Sequence, residues 1–191
     1  DTLGYYAKNG FTSVEITGFE GDGKALQALV AGQLDFFVGG SSAAVSAAVT
    51  DTPLVIVAMN SVLNTDGLYC QKDIKTKEDV KGKTVATTPG DSMSQIWPLF
   101  LKKTGLKESD FRTVSGDATT KLNAVINGQA DLLLGYVMDQ SMKIKDATGK
   151  DVTPIKFADY GVNLVSSGVV VNKDWLNENK DLVKRFMAAA T

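Results

Sequence analysis

The chain has 191 residues, no histidine, and one cysteine, Cys70. Without histidine there is no Ser-His-Asp or Cys-His nucleophile system and no His-ligated zinc site, and the commonest general base is missing. A lone cysteine allows no intrachain disulfide and says nothing about redox compartment. Long apolar runs are also lacking. No stretch reaches the roughly 20 residues of a membrane span, and the first residues lack the basic and apolar segments of a signal peptide. There is no basic surplus either. Twenty Lys and Arg against 22 Asp and Glu leave a net charge of −2, and no window can neutralise a run of phosphates, which excludes nucleic acid as a partner. No metal-ligand spacing occurs. Lys81-Gly82-Lys83-Thr84 imitates the end of a phosphate-binding loop, but Lys77 stands where that pattern needs glycine, and a strand follows it instead of preceding it. Neither a cofactor nor a metal is expected.

What is present is a soluble globular composition, 43% hydrophobic and 22% charged, in a chain long enough for one ordinary domain or two small lobes. One pattern occurs twice, 96 positions apart (122 − 26). Residues 26–40 read LQALVAGQLDFFVGG and residues 122–136 read LNAVINGQADLLLGY, with Leu26/Leu122, Ala28/Ala124, Gly32/Gly128, Gln33/Gln129, Asp35/Asp131 and Gly39/Gly135 in register. Apolar residues three and four apart predict one buried helix face, and the glycine that follows suits a left-handed cap. The next apolar run, Phe36-Phe37-Val38 or Leu132-Leu133-Leu134, does not alternate with polar residues and suits a parallel strand buried on both faces.

Strands are expected around Val14 to Ile16, Pro53 to Met59, Asp66 to Gln71, Lys83 to Thr87, Phe111 to Val114, Pro154 to Phe157 and Gly168 to Val171. Helices are expected through Leu99 to Lys103, with Pro98 in the first turn or at a kink, and from Trp175 to Met187. Residues 145–151 read as a polar turn. The alternation gives an α/β class with mainly parallel sheets. The pattern restarts near residue 80 and returns near Asn163 to Ser167, which predicts residues 1–78 and 164–191 as one lobe and 79–163 as the other, joined by two crossings that act as a hinge. Both ends of the chain read as cut.

In open α/β sheets ligands bind beyond the carboxyl ends of the strands. The loops there are Gly40-Ser41-Ser42, Asn60-Ser61, Gly90 to Ser94, Gly116-Asp117, Tyr136 to Gln140 and Asp159-Tyr160. Hydroxyls, amides, aromatics and the carboxylates of Asp91, Asp117, Asp139 and Asp159 dominate, and Lys121 is the nearby basic residue. Helix N-termini can hold an anion, but without an arginine the side chains favour a neutral or amino-bearing ligand. Tyr136 is placed for stacking or packs as a core tyrosine; Asp139 or Gln140 is placed to bind an amine or ring nitrogen. Trp97 and Trp175 read chiefly as packing, and the aspartates also as helix or turn caps.

GYYAKNGF, AGQLDF, KGKTVATTPGDSMSQIWPLFLKKTGL, NGQADLLLGYV and ADYGVNLVSSGVVV together resemble the type II periplasmic solute-binding proteins of ABC importers, over almost the whole chain. More narrowly they are similar to the branch of thiamine-pyrimidine, nitrate, sulfonate and taurine binders, with Gly135-Tyr136-Val137 and Ala158 to Val162 most like the pyrimidine-precursor binders. The resemblance implies two lobes on a two-strand hinge, an exported monomer, periplasmic or extracellular and membrane-anchored, that closes on a small molecule and docks on a permease. It puts Ser41, Asn60, Gly90, Ser92, Tyr136 and Tyr160 on ligand-facing positions; Gln140 joins them from the chemistry above. Family members are longer and begin with a strand that is missing here. The alternatives are a sulfonate or other organic-anion binder, a pyrimidine-biosynthetic enzyme on the same fold, whose known relative uses a histidine this chain lacks, and a sensing domain of a larger protein.

Overall fold

The computed structural model describes residues 2–61, 66–70, 74–136 and 140–190. Its helices are α1 (Tyr5–Lys8), α2 (Asp22–Val30), α3 (Ser41–Val49), α4 (Ser92–Thr104), α5 (Ala118–Ile126), α6 (Gln140–Thr148), α7 (Lys173–Glu178) and α8 (Lys180–Ala190). Its strands are β1 (Phe37–Gly40), β2 (Leu54–Ser61), β3 (Asp66–Cys70), β4 (Thr84–Thr87), β5 (Arg112–Ser115), β6 (Leu132–Tyr136), β7 (Thr153–Lys156) and β8 (Ser167–Asn172).

The sequence repeat is a structural repeat. α2–β1 and α5–β6 are its two copies, and the turns between helix and strand share their capping bonds. Gly32 and Gly128 both sit at φ 72°. Gln33 N–H donates to the Ala28 carbonyl at 2.9 Å and Gln129 N–H to that of Ala124 at 2.8 Å, while Gly32 and Gly128 donate to Leu29 and Val125. These paired bonds satisfy carbonyls that each helix end would otherwise orphan, and they need a left-handed residue at the glycine.

The strands form two sheets, ordered β1-β8-β2 and β5-β4-β6-β3-β7. β1 and β2 are both antiparallel to β8, hence parallel to each other. In the second sheet β5, β4 and β6 run parallel, β3 opposes β6, and β7 opposes β3 and so runs with β6. The expectation of mainly parallel sheets thus holds for strand direction, although most pairings are antiparallel. The reason is that β3 and β8, the first strands after each passage between sheets, insert between strands of the other direction. The chain changes sheets between Ser61 and Asp66 and returns between Lys156 and Ser167. By sheet membership the first passage therefore precedes the restart near residue 80. β3 belongs with the second sheet, where a Cβ on Gly67 would lie 2.7 Å from the Ile155 carbonyl oxygen.

Pleating divides β6 between two cores. Leu132 and Leu134 join Val85, Ile96, Trp97, Phe100, Leu101 and Phe157, while Leu133 joins Ala86, Ala124, Val125, Ala130 and Ile144. All three leucines are at most 1% exposed, as a strand with a helical layer on each face requires. The first sheet has its own core of Ala25, Leu26, Leu29, Phe37, Ala43, Ala44 and Val170. α8 closes that body: Phe186 stacks on Phe36 at 3.9 Å, lies 5.6 Å from Tyr6, and Arg185 Nη1 donates to the Gly10 carbonyl at 3.1 Å.

Four local expectations are corrected. Val14 to Ile16 forms no strand, and Ile16 is 90% exposed, because no described strand pairs with it. Pro98 lies in the interior of α4, past its first turn. Residues 145–148 are the end of α6, covered by Ile144 on its buried face. The final helix is broken at Asn179, whose N–H and Nδ2 both donate to the Trp175 carbonyl.

A Cβ at Gly32 or Gly128 meets nothing within 4 Å, so alanine there tests backbone strain alone. Gly32→Ala and Gly128→Ala should each cost about 1–2 kcal/mol, with asparagine costing less, as read from urea unfolding midpoints.

Candidate functional site

Four helix N-termini meet at a cleft of about 400 Å³. Phe19 to Asp22 enter α2 on one side. Facing them are Thr88, the start of α4 (Asp91 to Met93), the start of α5 (Asp117 to Thr119, Lys121), the end of β6 (Gly135, Tyr136) and Gln140 at the start of α6. Two of them begin there for a local reason. Asp91 caps α4 by accepting the Ser94 N–H at 2.7 Å, and Asp117 caps α5 by accepting the Thr120 N–H at 2.7 Å. In both, a carboxylate meets N–H groups that have no helical partner.

Lys121 is buried in this wall, 5% exposed. Its Nζ donates to Asp91 Oδ2 at 3.1 Å and to the Leu134 carbonyl at 2.9 Å. The cleft's lysine is thus already neutralised. Glu20, Asp22 and Asp117 add three more carboxylates to the lining. The Thr120 backbone N–H, and then its side chain, hold the Asp117 carboxyl below the usual carboxylate range. Thr88 is 7% exposed, and its hydroxyl has no hydrogen-bond partner among the described residues.

Asp22 reaches across from α2. Its Oδ2 accepts the Ser92 N–H at 2.9 Å and the Ser92 hydroxyl at 2.6 Å, and its Oδ1 accepts the Gly40 N–H at 3.4 Å. Glycine at 40 makes this approach possible, since a Cβ there would stand 1.6 Å from Ser92 Oγ.

Of the residues singled out from the sequence, Ser92, Tyr136 and Gln140 line this cleft. Ser41 lines a second, more apolar cavity of about 650 Å³ between α3, β2 and α4, together with Ile56, Met59, Gln95, Leu99 and Leu164. There its hydroxyl donates to the Val165 carbonyl and its N–H to that of Ser166. Asn60, Gly90 and Tyr160 line neither cavity. Asn60 is exposed on β2; Gly90 turns at φ 78° beside Gly23; Tyr160 sets its ring edge-on to Phe100 at 5.6 Å. Trp97 packs among Phe100, Phe111 and Phe157, and Trp175 meets Phe36. Asp139 lies outside the described residues. Sequence reasoning passed over Phe19, Asp22 and Thr88. An acidic residue in a first helical turn gives no sign of a contact 70 positions away.

Two α/β sheets joined by two crossings, with a polar cleft where helices begin between them, define the two-lobed type II periplasmic-binding-protein fold. The family model described as NMT1/THI5 like matches residues 1–191, and the chain belongs to that family. A Brucella abortus protein, provisionally named as a binding protein, is 29% identical over 171 residues, 85% of this chain and 50% of that protein. The riboflavin-binding protein RibY of Chloroflexus aurantiacus is 27% identical over 114 residues, 59% of this chain and 31% of RibY. The structure of the periplasmic aliphatic sulphonate binding protein SsuA from Escherichia coli matches with a TM-score of 0.71 and 20% identity, over 90% of this chain and 58% of that one, which shows the shared fold. The chain spans about half the length of the Brucella relative.

Asp91→Ala should cost about 3–5 kcal/mol in urea unfolding, because it strands a buried lysine; Lys121→Met should cost less, since Asp91 keeps its capping bond. The lowered Asp117 value means its bonds stabilise the fold above pH ~4, a contribution lost as pH falls through the folded-state value. Asp117→Asn should therefore flatten the acid limb of a thermal-unfolding profile.

Proposed function

We propose that the chain is the ligand-binding part of an exported solute-binding protein of an ABC importer, which holds a small neutral or amino-bearing molecule between its lobes and presents it to a permease. The best candidate is an aminopyrimidine precursor of thiamine. The observation that carries this is the charge of the cleft. Its one lysine is spent on Asp91 and the Leu134 carbonyl, and Glu20 is paired with Lys24 at 2.8 Å, while the carboxylates of Asp22 and Asp117 leave it acidic. Tyr136 supplies a ring face for a flat heterocycle, and Gln140 and Thr88 supply polar contacts. Ligand touching both sides favours the closed arrangement because its affinity for that state is higher. No covalent chemistry is involved, and the protein acts as a monomer. Ser41, Asn60, Gly90 and Tyr160, away from this cleft, are not needed for the first contact.

A second reading, binding of an alkanesulfonate, draws on the name of the Escherichia coli neighbour and on the helix N-termini at the cleft. A thermal-shift panel of hydroxymethyl- and formyl-aminopyrimidines, riboflavin, taurine, alkanesulfonates and nitrate separates the two. Ligand at 100 times its dissociation constant adds about 2.7 kcal/mol, and each kcal/mol raises the midpoint by about 2–4 °C. A rise with aminopyrimidines and none with sulfonates is expected, and Tyr136→Ala should weaken that binding about tenfold. A rise with sulfonates alone would overturn the pyrimidine assignment.

A further inference from the structure

The start of α4 has the makings of an oxyanion site: a free first-turn N–H and the hydroxyl of Ser92, itself 1% exposed, with the Gly40 N–H alongside and the helix dipole behind them. In this protein the site is filled from within. The Asp22 carboxylate takes all three donors, and it comes from α2, on the other side of the cleft. The glycine at 40 lets the backbone close on this group, because a Cβ there would lie 1.6 Å from Ser92 Oγ and 2.7 Å from Asp22 Oδ2.

We propose that Asp22 sets the charge selectivity of the cleft: its carboxylate occupies the oxyanion position at the start of α4 and so bars sulfonates, carboxylates and nitrate from it. An anion entering the cleft must expel Asp22 from three donors or sit beside its negative charge. Asp91 offers no relief, since it is committed to Lys121 and to the Ser94 N–H. A neutral or amino-bearing ligand meets no such conflict and finds the partnerless Thr88 hydroxyl in the same wall. The inference rests on this cleft being the solute site.

The test is calorimetric titration of the wild-type chain, Asp22→Ala and Asp22→Asn with ethanesulfonate and with a hydroxymethyl-aminopyrimidine. Asp22→Ala should bind ethanesulfonate at least tenfold more tightly than the wild type, with the sulfonate on the Ser92 N–H in a crystal structure. Asp22→Asn, the same size without the charge, should fall between, and it carries the test if Asp22→Ala does not fold. A purely structural role for Asp22 would shift both ligands together; a selective gain for the sulfonate supports the proposal. Equal sulfonate affinity in all three proteins, or no detectable sulfonate binding to any of them, would overturn it. Failure of the aminopyrimidine to bind any of the three would sink the pyrimidine assignment alone, and the sulfonate titrations would still decide the role of Asp22.

Discussion

A helix begins with backbone N–H groups that it cannot satisfy itself, and in this protein several helices begin at one cleft. The surrounding structure follows from meeting that demand with carboxylates. Asp91 and Asp117 each cap their own helix, and Asp22 caps its neighbour's across the cleft. The negative charge this gathers explains why a lysine is tolerated at 5% exposure: Lys121 has a carboxylate and a carbonyl to hold it. It also explains the glycine at 40, at the end of β1, since a side chain there would collide with Ser92 and Asp22. Caps, buried charge and close backbone approach are three responses to one requirement.

How far the sequence could be read varies with the range of the interaction. The two copies of the helix–glycine–strand unit were readable because everything that makes them is local: apolar spacing, a left-handed glycine, an apolar run. The fold class followed from the alternation of such units. Pairing partners were less readable. β3 and β8 have strand-like composition, but nothing in Asp66 to Cys70 or Ser167 to Asn172 reveals that each inserts against its neighbours' direction. Val14 to Ile16 has the composition of a strand and lacks only a partner. The split at Asn179 turns on a side-chain bond to Trp175 that competes with the helix ladder.

The site shows the same division. Ser92, Tyr136 and Gln140 follow strands or open helices of the second sheet, and position along the chain was enough to put them near its edge. Tyr160 occupies a similar loop, yet the large apolar surface of Phe100 claims its ring. Ser41 likewise is claimed by backbone carbonyls of the return segment. Asp22 was hidden for the opposite reason: its local role, an acidic residue in a first turn, is so ordinary that it conceals the longer contact.

The position of β8 governs the order in which the molecule can be built. The strands of the second sheet all lie between Asp66 and Lys156, a continuous stretch that holds every partner it needs. β1 and β2, although they precede it, pair only with β8 among the described strands, and Phe36 and Tyr6 both meet Phe186 of α8. In folding, β1 and β2 therefore wait on a long-range contact with β8, while the strands of the second sheet find their partners within one continuous stretch. The first sheet is thus the one whose assembly depends on the longer loop closure.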